Sequence, residues 1–331
     1  MLFRPDFSAA ERRDAPLLRV AKLTFFAHLI LTVFSAIAFG TFLLPPLPAF
    51  LMTPTNQQIM VFSFTYGGQT TVVLGAIAGF AFLAWAIGRR QASLVFVVSF
   101  VVSLGAELAG TASGLPFGPY SYTSQLGYLI GGLVPFNIPT SWFYMLVAVL
   151  GICGRFLPAK DDRTSRWWWA FIAGVVLTAW DVSMDPAMVK TTHWLWHNVD
   201  LTNAPLLSRI LGTGYYYQMP LTNLLGWLLT GVIVARLMLA IVPPSLWAAR
   251  VSPHRFPLAL YATNGILPIV ICYRWNMVYA GILGSIAMGI PLYLAWRAES
   301  KGLSAISPSS TVEKRFVPPN AMPTIEMPII T

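Results

Sequence analysis

The chain has 331 residues, of which 56% are hydrophobic and 10% are charged, and its mean hydropathy is +0.66. Water-soluble domains carry about 25% charged residues, so this composition excludes a soluble domain and predicts a membrane protein with several spans. The net charge of +9 does not predict nucleic-acid binding, because the basic residues follow the predicted membrane loops and do not form one patch.

The predicted organisation is a basic arm at residues 1–21, a catalytic membrane domain at 22–298 and a flexible Pro/Ser-rich tail at 299–331. Eight apolar stretches are long enough for a hydrocarbon core of about 30 Å. They lie at about 22–44, 60–88, 92–112, 127–152, 166–185, 219–242, 257–273 and 276–296. The first exceeds the roughly 7–15 apolar residues of a signal peptide, so we interpret it as a retained helix. The fold class is therefore all-α, a polytopic membrane helix bundle.

The 21 basic residues divide unevenly between the two sides of this eight-helix bundle. All except Lys190, Arg209 and Arg274 fall on the side that holds both termini. Because basic residues concentrate in cytoplasmic loops, both termini are predicted to be cytoplasmic, and the protein to be a multi-pass protein of the plasma membrane.

Two predicted loops on the opposite side, 113–137 and 186–218, are rich in Gly, Pro, aromatic and polar side chains. Loops with so many aromatic residues usually fold back over a cavity. Within the second loop, Trp194 and Trp196 are interpreted as an aromatic belt that anchors a short horizontal helix at the membrane interface.

Three carboxylic acids, Glu107, Asp181 and Asp185, lie in or at the end of apolar stretches. A charge is costly there, so acids in such places mark a functional site. Asp181 and Asp185 are four residues apart and would share one face of a helix. Two adjacent carboxyls do not both ionise easily, and we expect one of them to hold a proton.

The roles of these acids have alternatives. Asp181 is the expected proton holder because it lies inside the fifth stretch and has no capping role, although it could simply bond to a neighbouring helix. Asp185 precedes Pro186, so it could be the N-cap of a short helix in the loop. Glu107 could be a structural bridge to Asn223 or to a tyrosine hydroxyl.

The predicted topology gathers the unusual residues at one depth. The third and fifth stretches end, and the sixth begins, on the side opposite the termini. The three acids therefore lie level with polar and aromatic residues at the start of the sixth stretch: Tyr215, Tyr216, Tyr217, Pro220, Asn223 and Trp227. Unrelated structural roles would not share a level, so a common cavity is predicted.

The sequence lacks the motifs of cofactor-dependent chemistry. Of its four histidines only His193 and His197 are close together, which is a weak metal-binding pattern. It has no Gly-x-Gly-x-x-Gly turn, no P-loop and no pair of Asp-rich motifs for Mg²⁺-diphosphate. We therefore expect no metal, cofactor or nucleic acid.

Four segments in three ordered blocks resemble the integral-membrane carotenoid hydratase family. They are Gly105-Ala106-Glu107-Leu108-Ala109-Gly110 leading into Ser113-Gly114-Leu115-Pro116-Phe117-Gly118-Pro119-Tyr120-Ser121-Tyr122, then Ala179-Trp180-Asp181-Val182-Ser183-Met184-Asp185-Pro186, then Tyr215-Tyr216-Tyr217-Gln218-Met219-Pro220-Leu221-Thr222-Asn223-Leu224-Leu225-Gly226-Trp227. The match covers about residues 100–230. Ser113 stands where the family pattern has Thr, and this exchange keeps the hydroxyl.

The resemblance implies a cofactor-independent hydro-lyase that adds water to the terminal 1,2 double bond of an acyclic ψ-end carotenoid. Lycopene, γ-carotene or a C50 carotenoid would be the substrate, taken from the bilayer, and association with other enzymes of the pathway is a further expectation. Asp181 would donate the proton, and Glu107 or Asp185 would position the water. The residues expected to line the carbocation or bind substrate are Tyr120, Tyr122, Trp180, Tyr215, Tyr216, Asn223 and Trp227.

Two other functions remain open at this stage. The same acids could drive another isoprenoid step, such as cyclisation or isomerisation. They could also relay protons in a membrane transporter, although transporters usually contain internal repeats and this sequence shows none.

Overall fold

The computed structural model describes residues 15–44, 46–197 and 215–305. Most of the predicted arm, the predicted tail from residue 306 onward and Arg209 lie outside the described residues. The predicted orientation of the termini stays a prediction.

The described part of the chain contains eight helices of 17 residues or more, as predicted. They are α1 (Ala15–Ile37, continued by a π-helical turn at Ala38–Phe42), α2 (Pro54–Ile87), α3 (Arg89–Ser113), α4 (Asn137–Cys153), α5 (Arg163–Lys190), α6 (Leu221–Ile241), α7 (Phe256–Arg274) and α8 (Val278–Ala305). Seven are long and apolar enough to cross a membrane, and α4 is shorter, with 17 residues. The all-α membrane fold is therefore confirmed.

Several helix ends follow from local sequence. Thr53 caps α2 by accepting a hydrogen bond from the Asn56 amide, and Pro54 occupies the first helical position. Gly88, with φ of 97°, separates α2 from α3, because this backbone conformation is strained for residues with a side chain. Asp162 caps α5, accepting from the Ser165 amide at 2.8 Å.

The fourth helix begins later than predicted. The expected stretch 127–152 starts instead with a small hairpin of β2 (Leu129–Ile130) and β3 (Val134–Pro135), and α4 starts at Asn137. Gly127, Gly131 and Gly132 adopt positive φ angles, which a right-handed helix does not accommodate. Every residue of α4 except Ile138 is buried, so α4 is surrounded by other elements on all sides.

Helices α5 and α6 approach closely at two glycines. A Cβ added to Gly231 would lie 3.2 Å from the Cα of Gly174, so a side chain here would push the two helices slightly apart. The crossing brings the end of α5, with Asp181 and Asp185, beside Asn223 in the first turn of α6.

The predicted horizontal helix at Trp194 and Trp196 is wrong. These residues belong to β4 (Trp194–Trp196), which pairs antiparallel with β1 (Tyr120–Tyr122), placing Trp196 opposite Tyr120. The two indoles are buried and Leu195 between them is exposed, which is the two-residue period of a strand. A third hairpin joins β5 (Tyr215–Tyr216) to β6 (Met219–Pro220), directly before α6.

Candidate active site

A cavity of about 220 Å³ lies beneath the β1–β4 pair, beside the ends of α3 and α5 and the start of α6. Its lining includes two of the three predicted acids, Glu107 and Asp185, together with Asn223. The rest of this wall is mostly aromatic: Phe117, Tyr120, Tyr122, Tyr144, Trp180, Trp194, Trp196 and Trp227. The predicted common cavity is therefore present.

Glu107 is buried on α3 and accepts three hydrogen bonds. Tyr120 and Tyr122 both donate to its Oε2, the latter at 2.7 Å, and the indole of Trp142 donates to its Oε1 at 3.1 Å. A bond to a tyrosine hydroxyl, one of the two alternatives for a structural role of Glu107, is therefore present. The three donors therefore hold both carboxyl oxygens of Glu107 in fixed positions.

The two tyrosines follow α3 and lie outside the spanning helices. Burial raises the pKa of Tyr120 and of Tyr122 well above the ordinary value of 10.0, and the negative charge of Glu107 raises both further. Both phenols therefore keep their hydrogen atoms near neutral pH and act as donors to Glu107.

Asp185 also has three donors. Trp194 and Trp196 donate to its Oδ1 at 3.3 and 3.0 Å, and Asn223 donates to its Oδ2 at 3.0 Å. The capping alternative for Asp185 is wrong, because α5 continues through Pro186 to Lys190. Proline within a helix leaves one carbonyl without its usual donor, but here the surrounding packing keeps the helix continuous.

Asp181 has a poorer environment than the other two acids. It accepts one bond from Asn223 at 2.9 Å, while its Oδ1 is buried without a partner among the described residues. Its side chain has no solvent exposure and does not belong to the cavity lining. Asp181 therefore lies behind Asp185, and the Asn223 amide group joins the two carboxyls, as expected for residues on one helical face.

Three indole rings contact one another beside the cavity, and two of them, Trp180 and Trp227, belong to its wall. Trp142 and Trp227 are parallel, with ring centroids 4.4 Å apart, and Trp180 meets Trp227 edge-on at 5.8 Å. Because Trp142 also donates to Glu107, this stack connects the cavity wall to the carboxylate. Such π faces stabilise a nearby positive charge.

The structure separates the predicted aromatic residues into two groups. Tyr120, Tyr122, Trp180, Asn223 and Trp227 line the cavity as expected. Tyr215 and Tyr216 do not line it and lie instead in the β5–β6 hairpin.

Sequence reasoning missed three donors to the carboxylates. Trp194 and Trp196 were available from the alternating Trp-Leu-Trp pattern of a strand. Trp142 lies inside an apolar run, and no local pattern distinguishes it from a core residue.

Comparison with known proteins identifies the family. The profile of the carotenoid biosynthesis protein family matches residues 67–291, which is more than half of the chain. The chain belongs to the carotenoid biosynthesis protein family. The match contains all the motif segments that carried the sequence resemblance, so that prediction is confirmed. Family membership and the seven long apolar helices together identify a multi-pass membrane protein.

A curated relative of this chain has a named activity. Over 148 residues the chain is 27% identical to bisanhydrobacterioruberin hydratase of Haloarcula japonica, and the alignment covers 45% of each chain. The chain thus spans less than half the length of this curated relative. No solved structure matches the chain.

Proposed function

We propose that this protein is a carotenoid 1,2-hydratase, a hydro-lyase that converts the terminal double bond of an acyclic ψ-end into a tertiary alcohol. The observation that carries the proposal is the cavity in which Glu107 and Asp185, each with three hydrogen-bond donors, face the same aromatic wall. The relative named as a bisanhydrobacterioruberin hydratase supports a hydration reaction.

The reaction requires an acid, a water molecule and a base. The acid gives a proton to C2 of the alkene, whose π electrons form the new C–H bond and leave a tertiary cation at C1. The oxygen of water then bonds to C1, and a carboxylate takes the proton that this water loses. The sum is addition of one water, with no oxidant or reductant consumed.

Asp185 is our choice for the proton donor. It lines the cavity, whereas Asp181, the donor expected from the sequence, does not. When Asp185 loses its proton, the indoles of Trp194 and Trp196 are already aimed at the anion that forms. Donors fixed in advance stabilise the charge that develops in the transition state.

Asp181 is assigned a positioning role beside this donor. A neutral Asp181 needs no further donor for its buried oxygen and would not repel the Asp185 anion. Asn223 holds the two carboxyls at a fixed separation through its two bonds.

Glu107 is the proposed base that orients water and takes its proton. We assign it the ionised form because its three donors bond to no second carboxyl. Asp185, in contrast, shares the Asn223 amide with Asp181, and this crowding keeps its proton in place until the alkene is bound. Trp180 and Trp227 line the same cavity, and their π systems would stabilise the cation before water captures it.

The proposed setting is the plasma membrane, with both termini in the cytoplasm and the cavity toward the opposite face. The distribution of basic residues supports this orientation. A reporter fused to the C-terminus that is active only outside the cytoplasm would contradict it. Association with other enzymes of the pathway stays a prediction.

The deciding experiment is expression in a host that accumulates lycopene or γ-carotene. We expect a product heavier by one water, formed without molecular oxygen and carrying ¹⁸O when the cells grow in H₂¹⁸O. An oxygen atom derived from O₂ would overturn the proposal. A product with the same mass as the substrate would favour acid-driven cyclisation or isomerisation instead.

A further inference from the structure

The reaction cavity is closed on the carboxylate side and open on the opposite side. Glu107, Asp185 and Asn223 are all buried in its wall. Among the described lining residues, only Ser63, Phe64 and Gly68 fall in the exposed class. All three belong to α2, so the mouth of the cavity lies along this helix.

The N-terminal half of α2 has little packing on any side. Its first buried residue is Gly75, about six turns from the start of the helix at Pro54. The side chains that flank the mouth are apolar and exposed: Ile59, Val61, Phe62 and Tyr66. In a membrane protein, apolar side chains that face outward usually contact lipid, so these four residues support a mouth that is reached from hydrocarbon.

A pair of phenylalanines stands at the mouth. Phe39, in the π-helical turn after α1, meets Phe64 of α2 edge-on, with ring centroids 5.8 Å apart. Both rings also line a second cavity of about 430 Å³, so moving this one pair would join the two spaces. Short π-helical segments occur frequently at functional sites.

The reaction cavity is too small for a whole carotenoid. Its volume of about 220 Å³ is below the roughly 300 Å³ at which pockets for drug-sized ligands begin. A carotenoid is longer than such a ligand. When its end group reaches Asp185, most of its chain must therefore extend through an opening.

We propose that the polyene enters from the bilayer between α1 and the N-terminal half of α2, past Phe39 and Phe64. During the reaction its apolar chain lies against Gly67 and Gly68 and extends into lipid. This inference rests on the proposed hydratase function. It adds the route by which an apolar isoprenoid chain reaches the acids.

Two glycines allow a matched test. A Cβ added to Gly68, at the mouth, or to Gly289 of α8, outside the cavity lining, would meet no atom within 4 Å. Leucine at either position should therefore fold, because a helix interior favours leucine over glycine. Only Gly68→Leu places a large side chain in the proposed path.

Lycopene is the probe, and two quantities are measured. The first is the rate of lycopene hydration by the variants in membranes. The second is the amount of lycopene that copurifies with Asp185→Asn protein, with and without each leucine substitution, measured by its visible absorbance. The second measurement needs no chemical turnover, so it reports on binding of the polyene separately from the reaction.

We expect Gly68→Leu to lower both quantities by about tenfold, the ratio produced by a steric penalty of about 1.4 kcal/mol. Gly68→Ala should have a smaller effect, and Gly289→Leu should match the parent protein. An active hydratase that Gly68→Leu leaves unchanged in both measurements would overturn the proposed route alone. A protein that neither hydrates nor retains lycopene, γ-carotene or an acyclic C50 carotenoid would overturn the route together with the proposed function.

Discussion

Trp180 donates its indole hydrogen to the backbone carbonyl oxygen of Asn264, 2.9 Å away. The usual helical donor to this carbonyl would be the residue four positions later, which is Pro268 and has no N–H. The proline in α7 thus provides the acceptor that fixes the indole in the cavity wall. The orientation of the Trp180 ring on α5 therefore depends on Pro268 in α7.

Trp180→Phe should keep an aromatic face but lose this bond. We expect stability to fall by about 1 kcal/mol, the typical value of one hydrogen bond, and the hydration rate to fall because the ring is no longer fixed. The measurements are the thermal unfolding midpoint in detergent and the rate on lycopene. Trp168→Phe on the exposed side of α5 is the control. Equal losses in the two variants would contradict a special role for Trp180.

The two aspartates should respond differently to the same substitution. Asp185→Asn removes the proposed proton donor at the cavity and should abolish hydration. Asp181→Asn keeps a neutral group and an oxygen that accepts from Asn223, so it should retain measurable activity. Product formation in membranes that contain equal amounts of each protein decides between them. The reverse pattern would return the donor role to Asp181.

Glu107→Gln should block capture of the cation without blocking its formation. In D₂O, an uncaptured cation loses a proton to regenerate an alkene, so recovered lycopene should contain deuterium although little alcohol forms. Mass spectrometry of the recovered substrate measures this exchange. Asp185→Asn protein should show neither exchange nor alcohol. If Glu107→Gln protein shows no exchange either, Glu107 is needed before the alkene is protonated.

Much of the helical fold was predictable because the length of an apolar stretch is a local property of the sequence. The spacing of Asp181 and Asp185 also predicted correctly that one face of a helix carries both acids. The start of α4 was not predictable from hydropathy, because the apolar residues 129–135 form a hairpin instead of a helix. The hairpin forms in place of a helix because its glycines adopt positive φ angles, and a hydropathy profile contains no information on backbone angles.

The site was harder to predict because its donors are distant in sequence. Glu107 receives bonds from Trp142, 35 residues later, and from β1. These contacts depend on how the loops fold back over the helix ends. The prediction that Tyr216 lines the cavity was wrong for the same reason, since this residue is buried in the β5–β6 hairpin outside the cavity. Residue type was enough to identify candidate site residues, but the tertiary contacts determine which of them line the cavity.

His193 should make stability sensitive to acid. It lies between α5 and β4, outside the spanning helices, and burial lowers its pKa from the ordinary 6.5 to about 4. The folded protein therefore holds the neutral imidazole, while the unfolded chain takes up a proton below about pH 6.5. Stability associated with His193 is present above that pH and is lost as the pH falls toward about 4.

The test of this prediction compares unfolding midpoints of the parent and His193→Gln between pH 7.5 and pH 4. Glutamine does not titrate and keeps polar atoms near Thr191, whose hydroxyl lies 2.9 Å from the imidazole Nδ1. The variant should lose less stability than the parent over this interval, even if its midpoint at pH 7.5 is lower. Parallel curves would mean that His193 titrates alike in the folded and unfolded protein, and that acid acts through other groups.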